Sequence, residues 1–157
     1  MGIDVYTEWM KSTKPFDWKD VDNFLAEEST LNALITAHSH IEIVIRMALT
    51  ALAGNLKNTK PSSFTQPNIK KIKDYKVCTL IELSNFFGII EDQLYSDLKN
   101  FNSVRNKWVH GYLFRDQLNE EEAKRLAKES EKYIPRIVTQ LGNLLTSING
   151  NKSHSVT

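Results

Sequence analysis

An arginine and a histidine stand five residues apart in the segment Asn102-Ser-Val-Arg105-Asn106-Lys-Trp-Val-His110-Gly111. An imidazole can take or give a proton near neutral pH, and a guanidinium fork can clamp a phosphate through two parallel hydrogen bonds. Those two groups suffice for acid–base chemistry on a phosphate ester. On a helix, five steps leave Arg105 and His110 roughly 140° apart in azimuth and about 7.5 Å apart along the axis, so they share no stripe. Asn106 and His110, at i and i+4, do share one, and this lets the Asn106 amide hydrogen-bond the imidazole and set its tautomer. Neither Arg105 nor His110 is expected on the main apolar stripe of its helix. Gly111 is placed to end that helix, where a ring can project beyond the last turn.

A second group with possible chemistry is basic. Lys57, Lys60, Lys70, Lys71, Lys73 and Lys76 are opposed within their own stretch by Asp74 alone. A solvated lysine face is the simpler reading of such a run, and phosphate contact by Lys70, Lys71 and Lys73 is the functional one. The other reactive residues point to structure. Cys78 is the single cysteine, which excludes an intramolecular disulfide and a cysteine zinc site, and in an apolar helix it reads as a small packing residue. His38 and His40 fall on different helix faces. His38 and Glu42 share a face but lack a third ligand, so no metal is expected. Trp108 reads as a core or interface residue, and His154 as exposed in a polar tail. The sequence has no G-x-x-x-x-G-K-[ST] loop, no G-x-G-x-x-G turn and no H-E-x-x-H helix, so no nucleotide, dinucleotide or zinc cofactor is expected.

The elements that must carry these groups are helical throughout. Asp17 can cap a short helix bearing Trp18, Val21, Phe24 and Leu25. Ser29 or Thr30 opens a long one with Leu34, His38, Ile41, Ile45 and Leu49 at three- and four-residue spacing, and Gly54 is expected to stop it. Residues 55–67 read as a loop. Pro67 can begin the next helix behind Thr65 or Gln66. Asn68 to Phe87 is then one helix, or two broken near Asp74, with Gly88 ending it. Glu91 and Asp92 favour the start of the helix that carries Arg105 and His110. Asn119 with Glu122 forms a capping box for a last helix, which Pro135 must kink or split. Only Ile41 to Ile45 shows any strand-like pattern. The expected fold is all-α: a single-domain bundle of five or six helices over residues 1–148, with a disordered polar tail at 149–157.

Composition agrees with that reading. A chain of 157 residues has room for one domain and buries roughly 70% of its extended surface, enough to fold without a staple. At 41% hydrophobic and 25% charged residues it is an ordinary globular composition, not a disordered one. The net charge of +1 excludes the strongly basic profile of a dedicated nucleic-acid binder, although residues 1–28 carry seven acids against three bases while residues 29–90 carry three against seven. The start of the chain lacks the apolar run of a signal peptide. The apolar stretch from Ile41 to Leu52 is too short to span a bilayer and is broken by Glu42 and Arg46. A cytoplasmic protein with no membrane association is expected.

The Arg105–Asn106–His110 pattern, at the end of an apolar helix through Leu98, Phe101 and Val104, resembles the R-x4-6-H signature of the HEPN superfamily of α-helical domains. The stretches EESTLNALITAHSHIEIVIRMAL and LIELSNFFGII also resemble, more weakly, mannitol-operon-repressor-type proteins of the same broad fold. The resemblance covers roughly residues 25–145, with its specific part at residues 98–111. It implies a metal-independent endoribonuclease of toxin or phage-defence type that acts as a homodimer, with two motif helices meeting in one cleft. In that reading His110 is the acid/base, Arg105 the phosphate clamp and Asn106 the orienting group. RNA is the substrate, and an antitoxin or regulatory protein is a possible partner. A non-catalytic regulator acting through protein contacts, or an RNA-binding module using the lysines, is the alternative.

Overall fold

The computed structural model describes residues 18–57 and 71–150. In chain order its helices are α1 (Lys19–Ala26), α2 (Thr30–Lys57), α3 (Val77–Phe86), α4 (Asp92–Val109), α5 (Gly111–Phe114), α6 (Glu120–Glu129) and α7 (Tyr133–Gly150). Short 3-10 turns occupy Lys71–Asp74, Arg115–Gln117 and Ser130–Lys132. Among the described residues there is no strand, and five helices are ten residues or longer. The fold is an all-α helical bundle.

Helix α2 occupies the middle. Its buried residues, among them Leu34, Ile41, Val44, Ile45, Leu49 and Leu52, project from much of its circumference, and Ala33, Ala37 and Ala48 let neighbours approach closely. Helices α1, α3, α4, α6 and α7 all pack against it. The strand-like run Ile41 to Ile45 lies inside this helix: Ile41, Val44 and Ile45 are buried, and Ile43 faces outward. A helix-period pattern on both sides overrides local β propensity.

Four boundaries differ from the sequence expectation or resolve it. Helix α2 does not stop at Gly54 but continues to Lys57, with the Asn55 side-chain amide donating to the Ala51 carbonyl at 3.0 Å. A glycine inside a helix costs only about 1 kcal/mol, and Leu52 and Ala53 are still buried there. The segment before Phe87 is broken at Asp74–Lys76, between the 3-10 turn and α3. Pro135 splits the last helical stretch instead of kinking it. It falls in the first turn of α7, where its missing N–H costs no intrahelical bond. Helix α7 runs to Gly150, two residues into the segment expected to be tail. Asp17, the loop at 58–67, Lys70 and residues 151–157 lie outside the described residues.

Asn119 caps α6 as expected, its Oδ1 accepting from the Glu122 amide at 3.0 Å, which is one half of the expected capping box. Two other helices close with the same backbone device. At the end of α3 the amide of Ile89 donates to Ser84 O at 2.8 Å and that of Gly88 to Asn85 O at 2.9 Å, with Gly88 at φ 74°. At the end of α1 the amide of Ser29 donates to Phe24 O at 2.8 Å and that of Glu28 to Leu25 O at 3.2 Å, with Glu28 at φ 56°. Both are Schellman closures, which need a left-handed residue and so favour glycine. Replacing Glu28 by Gly is therefore expected to stabilise the fold by about 1 kcal/mol, while Gly88→Ala destabilises it by a similar amount. Urea denaturation midpoints measure both, and equal shifts in the same direction would contradict this reading of the two turns.

Candidate functional site on helices α2 and α4

Helix α4 is pinned at its N-terminal end before it delivers any functional group. Asn85 Nδ2 donates to Asp92 Oδ1 at 3.1 Å, and the amide of Glu91 donates to Gln140 Oε1 at 3.0 Å. Arg136 of α7 reaches Glu91 at 2.6 Å and Asp97 at 3.2 Å. Leu94, Leu98, Phe101 and Val104 then bury one face of α4 in the core.

Arg105 follows that face. The spacing 94, 98, 101, 105, 108 continues the buried series, so the arginine lies nearer the core than its expected place off the apolar stripe. Its side chain is half-buried, and its Nε is fully enclosed with no hydrogen-bond partner among the described residues. The Trp108 indole N–H is enclosed and unpaired in the same way. Arg105 Nη1 donates to Asn106 Oδ1 at 3.0 Å. Asn106 thus orients the guanidinium, and not the imidazole that i, i+4 spacing had suggested. Arg46, Arg125 and Arg136 each pair with a carboxylate, whereas Arg105 has none among the described residues.

His110 closes α4 as its C-cap, at φ −100° and ψ 32°. Its amide donates to Asn106 O at 3.0 Å, and its carbonyl accepts from the Leu113 amide at 2.8 Å. Its imidazole is exposed and makes no hydrogen bond among the described residues. Val109 and Leu113, beside it in the chain, are also exposed, Leu113 at 63%. Within one chain the structure brings Arg105 to Asn106 but does not bring either to the His110 ring.

The sequence reading passed over a buried polar pair that positions this helix. His38 of α2 is 5% exposed, and its Nε2 stands 3.0 Å from Asn102 Oδ1. An amide oxygen only accepts, so Nε2 carries the ring proton in this bond. The ring stacks on Phe101 at 6.3 Å, and Nδ1 is 3.9 Å from Glu42, beyond hydrogen-bond range. Burial pushes His38 below the usual histidine range, and the charge of Arg105 adds to that, against the opposing Asn102 bond and Glu42. A signal did exist: His38 is a polar residue in the series Leu34, His38, Ile41, Ile45, and a side chain so placed requires a partner.

One turn further along α2, Glu42 pairs with Arg46. The Arg46 guanidinium donates to the carbonyls of Ile72, Lys73 and Tyr75 at 2.7, 2.9 and 2.8 Å. It anchors the turn bearing Lys71 and Lys73, both exposed. Neither Lys71 nor Lys73 is joined to α4 by a hydrogen bond or ion pair among the described residues, and Lys70 lies outside them. Among the described residues no three His, Cys, Asp or Glu side chains are grouped as metal ligands would be, and no helix is long and apolar enough to cross a membrane. The chain matches no protein-family model, no curated protein and no solved structure.

Two histidines, His38 buried and His40 half-buried, make stability depend on pH. His40 is also pushed down, by burial against the opposing charge of Asp20. As pH falls through about 6.5, the unfolded chain takes up protons on both rings more readily than the native state does. The stability is fully present above that pH and declines as the pH drops toward the depressed native values. Urea midpoints are expected to fall between about pH 7.5 and pH 5.5, and His38→Gln, which keeps a donor for Asn102, is expected to reduce the slope. An unchanged slope in His38→Gln would contradict a neutral buried imidazole.

Proposed function

We propose that this protein is a metal-independent endoribonuclease of the HEPN type, active as a homodimer. The observation that carries the reading is Arg105: a half-buried guanidinium, oriented by Asn106, with no carboxylate to neutralise it among the described residues. A phosphodiester supplies the missing anion, and the planar fork suits it better than an ammonium. His110 supplies the proton chemistry from its exposed position at the end of the same helix. The imidazole removes the proton of an RNA 2′-OH, whose oxygen attacks the adjacent phosphorus. The bond to the 5′-oxygen breaks, and the leaving oxygen takes a proton from the second histidine. Arg105 stabilises the charge that builds on the non-bridging oxygens. One chain offers one such histidine, and its Arg105 and His110 are roughly 140° apart on the helix. Two copies pairing around Asn102–Gly111 complete the site, with Arg105 of one facing His110 of the other. Exposed Val109 and Leu113 give that contact apolar surface. The family resemblance extends this reading to a toxin or phage-defence role in the cytoplasm, with an antitoxin as partner.

The same exposed apolar residues favour the competing reading, a non-catalytic regulator that binds another protein there.

The test is cleavage of structured and single-stranded RNAs by the purified protein. Cutting is expected to survive EDTA, to leave 2′,3′-cyclic phosphate and 5′-OH ends, and to stop at a 2′-deoxy substitution. His110→Ala is expected to lower the rate by about 10²–10⁴-fold. Arg105→Lys keeps the charge but loses the fork, and is expected to impair cutting at unchanged fold, checked by urea midpoint. Intact RNA with wild type, or full activity in His110→Ala, would contradict the proposal. Light scattering is expected to show a dimer at micromolar concentration, and a strict monomer would count against it. Combined alanine substitution of Lys70, Lys71 and Lys73 separates the RNA-binding reading, since it weakens binding and flattens its salt dependence only if those lysines contact phosphates.

A further inference from the structure

Trp18, the residue before α1, fixes where the chain enters the fold. It is buried, its ring meets that of His40 edge-on with centroids 5.3 Å apart, and its indole N–H donates to Ala127 O at 3.4 Å. From there α1 runs back along α2 and joins its start through the turn that Ser29 closes on Phe24. Helix α1 thus covers the first part of α2, up to His40. Residues 1–17 arrive where the second part begins.

Beyond His40 the track of α1 continues onto Ile43, Met47, Thr50, Ala51 and Gly54, which lie within an arc of about 100° that includes the azimuth of His40. Ile43 is 44% exposed, Thr50 and Gly54 are exposed, and Met47 and Ala51 are half-buried. A Cβ placed on Gly54 would meet nothing within 4 Å. The opposite face of the same stretch, with Ile45, Leu49 and Leu52, is in the core. The central helix therefore shows an open apolar strip in line with α1.

Residues 1–17, which lie outside the described residues, carry a matching pattern. At helical spacing Ile3, Val5, Tyr6, Trp9 and Met10 fall within about 160° of the circumference, and Asp4, Thr7, Glu8 and Lys11 take the rest. Lengths agree as well. Residues 3–11 make about 13 Å of helix, and the strip from Ile43 to Gly54 is about 16 Å long. Pro15 ends any such helix before Trp18, and residues 12–17 can reach about 20 Å when extended. Charge agrees too: the turn held by Arg46 borders the strip with exposed Lys71 and Lys73, and Asp4 and Glu8 share one edge of the segment at i and i+4.

We propose that residues 3–11 form a short amphipathic helix that docks on α2 of the same chain, with Trp9 and Met10 seated on Ile43 and Met47. So short a helix is not stable alone in water, and burial of its apolar face on the strip is what holds it. The docked segment continues the cover that α1 begins, and it hides the exposed Ile43 from solvent.

The experiment uses the full chain. Nuclear Overhauser contacts from the Trp9 ring and the Met10 methyl to the Ile43 and Met47 methyls are expected in the wild type. A sample mixing isotope-labelled and unlabelled chains reports contacts between copies. Contacts seen only between copies, or none at all, would overturn the proposal. Trypsin cutting after Lys11 and Lys14 gives a second readout. Ile43→Asp places a charge on the strip without altering a buried residue, and Trp9→Ala removes the main anchor. Each is expected to speed cutting at those lysines about tenfold or more, since release of the segment exposes them to the protease. Trp9→Ala changes none of the described residues, so it carries the test even if Ile43→Asp fails to fold. Equal cutting rates in wild type and Trp9→Ala would overturn the proposal. Neither readout involves RNA, so the outcome is independent of the proposed function.

Discussion

A helix of 28 residues that is apolar around much of its circumference cannot stand in water, and that constraint organises the molecule. At 1.5 Å per residue α2 is about 42 Å long, longer than any one partner can cover. Helices α1, α3, α4, α6 and α7 each take part of its surface. The alanines at 33, 37 and 48 set how closely they approach, and Leu34, Ile41 and Ile45 supply much of the burial. A fully buried side chain of this kind contributes about 1.5–3 kcal/mol, so a handful of them outweighs any surface ion pair in the structure.

The same constraint gives His38 its importance. A polar ring in the middle of this helix must find a partner, and the partner it finds, Asn102, is on the helix that carries the candidate site. That bond gives a specific register between α2 and α4, which hydrophobic packing by itself leaves less well defined. With α4 in that register, Arg105 extends the buried face beyond Phe101, enclosed at Nε and tied to Asn106. The Glu42–Arg46 pair does similar work one turn away, holding the turn at residues 72–75 through backbone carbonyls. Site and core are parts of one packing solution.

Much of this was legible in the residue pattern. Three- and four-residue spacing marks α2, α4 and α7, and the Asn119 cap marks the start of α6, because these signals are local. Gly54 misled because a glycine ends a helix only when the chain turns left-handed there, which packing beyond the helix decides. Glu28 takes that conformation without any sequence signal, since the closing bonds to Phe24 and Leu25 come from backbone groups. The site was half legible. Arg105, Asn106 and His110 stood out by type and spacing, but the partner of Asn106 was misassigned, because rotamer choice favoured the neighbouring guanidinium over the ring one turn on. The His38–Asn102 bond joins residues 64 positions apart, a distance across which periodicity carries no information.

In the proposed function Arg105 and His110 act across two copies of the chain, since one copy does not bring them together. Subunit mixing tests this most directly. Arg105→Ala and His110→Ala proteins, each impaired alone, are combined, allowed to exchange and assayed for RNA cleavage in EDTA. The mixture is expected to cut faster than either component but slower than wild type, because each mixed dimer keeps one intact arginine facing one intact histidine while lacking the second histidine that protonates the leaving oxygen. A mixture as inactive as its components, despite demonstrated exchange and an active wild type, would contradict it.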